Sequence, residues 1–338
     1  MTPTFLVTAD GSNITAALKQ RLLSLVVREE INHEAGAARG TSHTCDIELD
    51  DRDGAIAMPA MGALLVVEMG YQETGRSKMG EFRVDEVELE GPERRLLIRA
   101  HAADTNAKTT LPQILGNVTR SWPASTVGAV AATIAGLHGW SSVVASDIAS
   151  IATPERKQTG QDDMGFLKTV VAETSPGAYC TLAGGIIVIA YVASGTTASG
   201  AALPSISVGV TDVLGWHMTK TVRCAHSTVK ANYYDYDSAE TSEATATGAD
   251  EETSSTEEPL LYQSEAIATA AAGSRLAALQ SGVETLEATL IGNSAISAGA
   301  RLAVSGIRSG VDGTWIITRA EHRISGQGYS TEVEAVKS

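Results

Sequence analysis

Two short blocks occur twice in this chain, in the same order, each time with a short variable segment between them. Gly62-Ala63-Leu64-Leu65-Val66-Val67 recurs as Gly299-Ala300-Arg301-Leu302-Ala303-Val304, and Gly80-Glu81-Phe82-Arg83-Val84 recurs as Gly313-Thr314-Trp315-Ile316-Ile317. The shared pattern is G-A-x-L-x-V followed by G-x-(Phe/Trp)-x-(Val/Ile). Alternating Leu and Val place one side of a strand in a core, and the aromatic residue fills the same face of the next strand. Each glycine marks a turn or a close backbone approach. The pattern predicts a duplicated β-domain, with Gly62, Gly80 and Phe82 equivalent to Gly299, Gly313 and Trp315, and with Phe82 and Trp315 in matching cores.

The flanking sequence supports a sheet builder. Short alternating or β-rich runs at Thr4–Thr8, Leu23–Arg28, Thr44–Leu49, Ala63–Glu68, Phe82–Leu89 and Arg95–Ala100 are separated by Gly, Asp and Pro, the pattern of an antiparallel sheet or barrel. Only Ile14–Leu22, with Asn13 as N-cap, reads as a helix there. Beyond Leu111 the period changes. Val127, Val130, Ala131, Ile134 and Leu137 recur at helical spacing after Ser125-Thr126 and end at Gly136 and Gly139. A second helix is expected from Asp162 or Asp163 to Glu173, ended by Ser175-Pro176-Gly177. A hairpin follows, Ala178–Leu182 with Ile186–Val192. Strand signals return at Glu284–Ile291, Arg301–Val304, Thr314–Arg319 and Ser330–Val336.

These elements divide the chain into a first β-domain at 1–105, an α+β insertion at 106–193 and a second β-domain at 194–338. Residues 235–258 hold nine Asp or Glu and no Lys or Arg, which predicts a flexible, solvated and peripheral loop dispensable for folding. An alanine-rich helix is expected after it, at about 262–280, with Ala266, Ile267, Ala270, Ala271, Leu276 and Leu279 as its apolar positions.

Composition excludes several function classes. The 338 residues carry 40 acidic and 25 basic side chains, a formal charge of −15, without the clustered Lys and Arg of a phosphate-backbone binder. The longest apolar stretch, Gly184 to Ala193, is about half of the ~20 residues that span a bilayer, and the start lacks the basic region of a secretory signal. A soluble, intracellularly made chain without nucleic-acid binding or membrane insertion is expected. Cys45, Cys180 and Cys224 are odd in number and far apart, the pattern of reduced, buried thiols.

Motif-bearing enzyme classes are disfavoured. The chain lacks a GxSxG elbow, a Walker A loop, an HExxH helix and an HxE with a downstream CxxC. Gly326-Gln327-Gly328 continues into a strand and reads as a turn. The run Asp46, Glu48, Asp50, Asp51, Asp53 does not fit a calcium loop, which would need ligands at Leu49 and Ala60. The seven histidines, at 33, 43, 101, 138, 217, 226 and 322, lack short metal spacings. No catalytic, cofactor or metal residue is assigned. A carboxylate pair set by three-dimensional separation stays open, and with it a cell-wall-degrading enzyme as the alternative function.

With these residues in hand, the chain resembles the late control protein D family, the baseplate hub proteins of contractile phage tails. The similar stretches are Ile14-Thr15 through Leu25, Asp46–Gly54, Met58-Pro59 with Gly62, Gly70-Tyr71, Met79 to Val87, Gly91-Pro92, Lys157-Gln158-Thr159 with Asp162-Asp163 and Phe166-Leu167, Val304-Ser305-Gly306, Asp312 to Trp315, His322 and Gly328 to Thr331. Gly36–His43 and the acidic 235–258 segment depart from the family pattern.

The resemblance implies a β-rich α+β fold with two tube-protein-like antiparallel β-barrels and an α+β insertion. It further implies a structural, non-catalytic homotrimer whose pseudo-sixfold ring joins a sixfold tail tube to a threefold spike. Partners would be the spike, tail tube and tape measure proteins and other baseplate proteins. The particle would be a phage or a tailocin, assembled in the bacterial cytoplasm. The family is similar to the hub portion of type VI secretion spike proteins, in which hub and spike are fused; here no β-helix repeat occurs up to Ser338, so a separate spike is expected. A channel passing DNA should avoid adhesive basic sites. That requirement suggests Glu81, Asp85, Glu86, Glu88, Thr314, Thr318 and Glu321 as acidic or neutral wall residues.

Overall fold

Alternation carries the first lobe into a sheet. In the computed structural model the described residues are 1–31, 43–92, 94–102, 118–175, 178–183, 185–191, 205–221, 227–235, 238–248, 255–281 and 284–337. The strands are β1 (Pro3–Ala9), β2 (Ser12–Asn13), β3 (Leu22–Glu30), β4 (His43–Asp50), β5 (Leu64–Tyr71), β6 (Gly75–Glu90) and β7 (Arg95–Ala102). They lie in the order β3-β4-β7-β6-β5-β1-β2. Every second side chain enters one core, where Leu25, Val27, Cys45, Ile47, Leu65, Val67, Phe82, Val84, Leu96 and Ile98 pack together. The helical piece is shorter than its sequence suggested, α1 (Thr15–Lys19), because Leu22 already begins β3. The Asn13 side chain still accepts from the Thr15 amide at 2.9 Å.

The second lobe repeats this arrangement. It contains β15 (Ser205–Gly209), β16 (Val213–Lys220), β20 (Glu284–Ile291), β21 (Arg301–Ser305), β22 (Gly313–Ser325) and β23 (Gly328–Lys337), the intervening numbers belonging to the insertions below. Its order, β16-β20-β23-β22-β21, matches β3-β4-β7-β6-β5 strand for strand. Trp315, Leu302, Val304, Ile317, Leu286 and Val333 fill its core. The lobes join edge to edge: β22 pairs antiparallel with β3 from Arg319 opposite Glu30 to Ser325 opposite Ser24, giving a 13-stranded sheet among the described residues.

Between the lobes, helical periodicity produces a separate α+β unit. It holds β8 (Val118–Trp122), β9 (Ser125–Thr126), α2 (Val127–His138), β10 (Ser141–Val144), α3 (Ser146–Ala149), β11 (Ala152–Thr153), β12 (Arg156–Gln161), α4 (Asp163–Thr174), β13 (Ala178–Ala183) and β14 (Ile186–Tyr191). Thr126 caps α2 by accepting from the Ala129 amide, and Gly139 ends it at φ +73°. Asp162 caps α4 in the same way through the Gly165 amide. The two helices pack with Trp122, Trp140, Cys180, Ile187 and Ile189 into a core of their own.

The acidic segment is not a loop. Residues Thr228–Asp235 form β17, Glu240–Thr247 form β18 and Ser255–Tyr262 form β19, a three-stranded sheet in the order β18-β17-β19. The helix α5 (Glu265–Ser281) lies against it. The physical reason lies in small residues. Val229, Ala231 and Ala244 face Ala268, Ala271, Ala272 and Leu276, so a helix and a sheet with little bulk approach closely and bury a core without any run of large apolar side chains to announce it. Ala266 and Ala270, expected on the apolar face, are exposed instead. Glu240, Glu243 and Glu257 are exposed while Glu258 is buried, and Pro259 sits in β19, an edge strand among the described residues, where a missing amide is tolerated.

Cys45 and Cys180 are buried and unpaired, and burial pushes the Cys180 thiol up to about 12. Cys224, His33, His226, Leu111, residues 36–42 and Pro176-Gly177 lie outside the described residues.

Candidate functional site

The two G-A-x-L-x-V hairpins have one register. Leu65 lies opposite Phe82 and Val67 opposite Gly80 in β5–β6; Leu302 lies opposite Trp315 and Val304 opposite Gly313 in β21–β22. The Gly62 amide donates to the Val84 carbonyl at 2.7 Å and the Gly299 amide to the Ile317 carbonyl at 2.7 Å; the return bonds, Val84 to Ala63 and Ile317 to Ala300, are both 3.0 Å. Gly62 and Gly299 have φ of +81° and +85°, the left-handed region in which a Cβ is strained. Phe82 and Trp315 are buried in their respective cores.

The agreement extends beyond the recurring blocks. The β6–β7 register shifts between Val84 and Glu86, and the β22–β23 register shifts between Ile317 and Arg319, the same place in the repeat. A second pair of shifts occurs between Leu22 and Ser24 in β3 and between Val213 and Gly215 in β16. No shared sequence signal marks these irregularities; they follow from the need to bend a sheet around its core.

Each bulge shifts the alternation by one residue, so that Val84 and Ile317 face a core while Glu86 and Arg319 face the other way, and the sheet has a core face and a polar face. By alternation and register the polar face carries Arg28, Arg95, Arg99, Arg319 and Arg323 with Glu30, Asp46, Glu48, Asp50, Glu86, Glu88, Glu90, Glu287, Glu321, Glu332 and Glu334. Eleven carboxylates against five guanidiniums leave −6 for these residues. Arg99 Nη1 lies 2.8 Å from both Glu86 and Glu88, and Arg95 Nη1 is 2.9 Å from Glu48. Exposed pairs of this kind add little to stability, because water and salt screen them.

The lobe joint is different, because there a buried carboxylate is ringed by half-buried arginines. Glu321 accepts from Arg28 Nε at 2.9 Å, Arg319 Nη2 at 3.1 Å and Arg323 Nη2 at 2.9 Å. Burial alone would raise its pKa, but the hydrogen bonds and charges of Arg28 and Arg323 win and hold the carboxyl below its ordinary value. Next to it, His322 is fully buried: Nε2 lies 3.0 Å from the Ile296 carbonyl and Nδ1 lies 3.1 Å from the Tyr329 hydroxyl. A carbonyl only accepts, so Nε2 carries the proton and Nδ1 accepts. Burial lowers the imidazole pKa and keeps the ring neutral. Tyr329 packs against Tyr71 with ring centroids 5.4 Å apart and planes tilted by 46° and, with Ile324, enters the first lobe's core.

A third polar centre lies in the α+β unit. Asp163 accepts from Gln158 Nε2 at 2.8 Å and sits 3.0 Å from His138 Nε2, while Trp122 Nε1 donates to Gln158 Oε1 at 3.0 Å. This network ties β8, β12, α2 and α4 together. It accounts physically for the burial of Gln158 and Asp163.

Of the residues expected at an acidic or neutral wall, Thr318 and Glu321 are buried rather than open to solvent. Thr318 is buried with its hydroxyl donating to the Glu334 carbonyl at 3.0 Å, and Glu321 is enclosed by arginines. Glu86 and Glu88 share Arg99, Glu81 pairs with Lys78, and Asp85, at the bulge, pairs with His101. Thr314 alone of the second group is exposed. The signal that sequence reading missed was the arginine on the neighbouring strand, whose register no local pattern specifies. Among the described residues no group of His, Cys, Asp and Glu is arranged to hold a metal ion.

Comparison with known proteins places these features in context. The family model described as phage tail baseplate hub (GPD) matches residues 61–328. A probable baseplate hub protein of Escherichia phage 186 is 31% identical over 208 residues, covering 62% of this chain and 50% of the relative. Its counterpart in Escherichia phage P2 is 30% identical over 233 residues, covering 69% and 57%. The chain thus spans a little over half the length of these curated relatives at most. Among solved structures, the 43 kDa tail protein of prophage MuSo2 from Shewanella oneidensis superposes with a TM-score of 0.70 at 14% identity, covering 99% of this chain and 98% of that one. An Escherichia coli component of the type VI secretion system does so at 0.55 and 12% identity, covering 98% and 76%, a likeness of fold.

Proposed function

The chain belongs to the phage tail baseplate hub family, and from that premise we propose that it is the structural hub of a contractile phage tail or tailocin. Three copies form a ring in which six β-lobes alternate. The ring presents a near-sixfold surface to the tail tube protein and a threefold surface to a spike protein. The tape measure protein and other baseplate proteins contact the same ring, which is assembled in the bacterial cytoplasm and retained in the particle. The lobes correspond to the domains at 1–105 and 194–338, with the α+β unit at 106–193 and the β17–α5 unit as peripheral additions. Gly62, Gly80, Phe82, Gly299, Gly313 and Trp315 are the equivalent positions of the duplicated unit.

One observation carries this reading: two lobes of one chain share strand order, register and bulge positions and are already joined edge to edge. A symmetry adaptor needs that equivalence, because a ring with twice as many lobes as chains must offer similar surfaces from dissimilar sequence. The polar face, with its arginines paired and its carboxylates in excess, suits a wall past which a polyanion slides without binding. Light scattering on the purified protein tests the reading. A particle of three times the 35.1 kDa chain mass is expected; a monomer at every concentration contradicts it.

A further inference from the structure

The internal joint has a counterpart that a single chain leaves open. Within the chain, the run of β22 after its bulge pairs with β3. The register equivalences make β6 after its bulge the match of that run and β16 the match of β3. Both matches are uncovered. Among the described residues, strand β16 ends the sheet and β5 pairs with β6 only as far as Arg83, so Glu86–Glu90 has one hydrogen-bonding side without a partner strand.

Burial tells the same story residue by residue. Leu89 takes the place of His322, and Trp216 takes the place of Leu25. His322 and Leu25 are 0% exposed, whereas Leu89 is 61% and Trp216 42% exposed. Apolar side chains thus lie bare at the two places where their equivalents are covered by the joint, and an unpaired strand edge of this kind is a template for another strand. Intramolecular pairing is excluded by order: six strands lie between β16 and β6 in the sheet.

We infer that the occupant of each edge is a second copy of this chain, with β16 of one subunit pairing antiparallel to Glu86–Glu90 of the next. This rests on the trimeric reading and deepens it by fixing the contact. Carried over from the internal joint, the register sets Glu86 opposite Thr221, Leu89 opposite Met218 and Glu90 opposite His217. Leu89 and Met218 then bury one another where His322 and Val27 meet within the chain. The contact is heterologous, and three such contacts close a ring without leaving an edge.

The two joints differ in strength. The internal one runs through seven residue pairs and is reinforced by Ile324, Tyr329 and the Arg28–Glu321 pair. The hairpin after Glu90 turns at Gly91-Pro92 instead, and Glu88 meets Thr219 rather than an arginine. The ring therefore separates into folded chains before any lobe unfolds.

Paired cysteines test the register. In a Cys224→Ser background, Leu89→Cys with Met218→Cys places two Cα atoms directly opposite, about 4.5–5.5 Å apart, within the span a disulfide bridges. Leu89→Cys with Lys220→Cys is two residues out of register. Mild oxidation is expected to give a covalent trimer on a non-reducing gel for the first pair and not for the second. A second variant, Leu89→Arg with Trp216→Arg, is expected to yield folded monomers with an unchanged circular dichroism spectrum. A trimer by light scattering in which the first pair fails to cross-link, or the second cross-links better, overturns the edge pairing and leaves the trimer standing. A wild-type protein that is monomeric throughout overturns both.

Discussion

The two lobes reach the same register with different chemistry. In the first, Phe82 meets Leu65, a Leu-Val-Val run forms β5, and β1 covers that strand antiparallel; in the second, Trp315 meets Leu302, arginine and alanine dilute β21, and β15 lies parallel to it. The excursion between matched strands also differs. Between β3 and β4 it is short, spanning residues 31–42, whereas between β16 and β20 it contains a sheet and a helix. What the lobes share is a glycine at each turn into β5 or β21, an aromatic plug, and two bulges at matched positions. Register is held by these few backbone devices, and side-chain identity elsewhere is free to drift.

The comparison breaks most visibly at the plugs. Trp315→Ala and Phe82→Ala should each cost about 3–5 kcal/mol if both cores are well packed. Trp315→Ala should be the worse, because its indole also donates to the Val311 carbonyl at 2.8 Å. Denaturant unfolding checks this, and a loss confined to one lobe's plug argues that the cores are not equivalent.

A sharper probe uses the glycines. Gly62 has no atom within 4 Å of an added Cβ, so Gly62→Ala reports backbone strain alone, and Gly299 shares its left-handed φ, so Gly299→Ala probes the matching turn. Each should cost about 1–2 kcal/mol, and the two values should agree. Melting temperatures that differ by the full effect would separate the two turns.

The pH dependence should be one-sided. His322 has a folded pKa below its ordinary 6.5, so the unfolded chain takes up the proton first and stability falls as pH drops through about 6.5. Glu321, also depressed, adds stability above its unfolded value and loses it on further acidification. Leu89, the equivalent of His322, cannot titrate. His322→Gln should flatten the limb between about pH 6.5 and 5, read as melting temperature against pH, while Leu89→Gln leaves it unchanged.

The smallest effect is expected from the excursion. Replacing residues 222–283 by a short Gly-Ser connection should leave the joined sheet intact, as the first lobe makes the same crossing with a short one. Deleting 235–258 alone should destabilise the β17–α5 unit, because β18 and half of β19 go with it. Hydrogen exchange over β20–β23 distinguishes the two.

Much of the fold is legible in the chain itself. Alternation marks the strands of both lobes, and capping residues Thr126 and Asp162 with Gly139 mark α2 and α4, since these signals are local. The acidic segment reads as a loop because an alanine and threonine strand under an alanine helix buries one face without the Leu, Ile and Phe that usually signal a core. The joint is invisible for a different reason. Glu321 and His322 look like an ordinary charged pair in a strand, and only the partner strand, nearly three hundred residues away in sequence, shows that they are buried and satisfied. Arg28 carries no mark of its role.

The most direct test of the duplicated lobe is a cryo-EM map of the purified particle. Six lobes are predicted around one axis, with Phe82 and Trp315 alternating at the same radius and height and with Glu86–Glu90 of each chain running beside β16 of the next. A map in which the Phe82 and Trp315 lobes lie at different radii, or in which the two free edges face solvent, would contradict it.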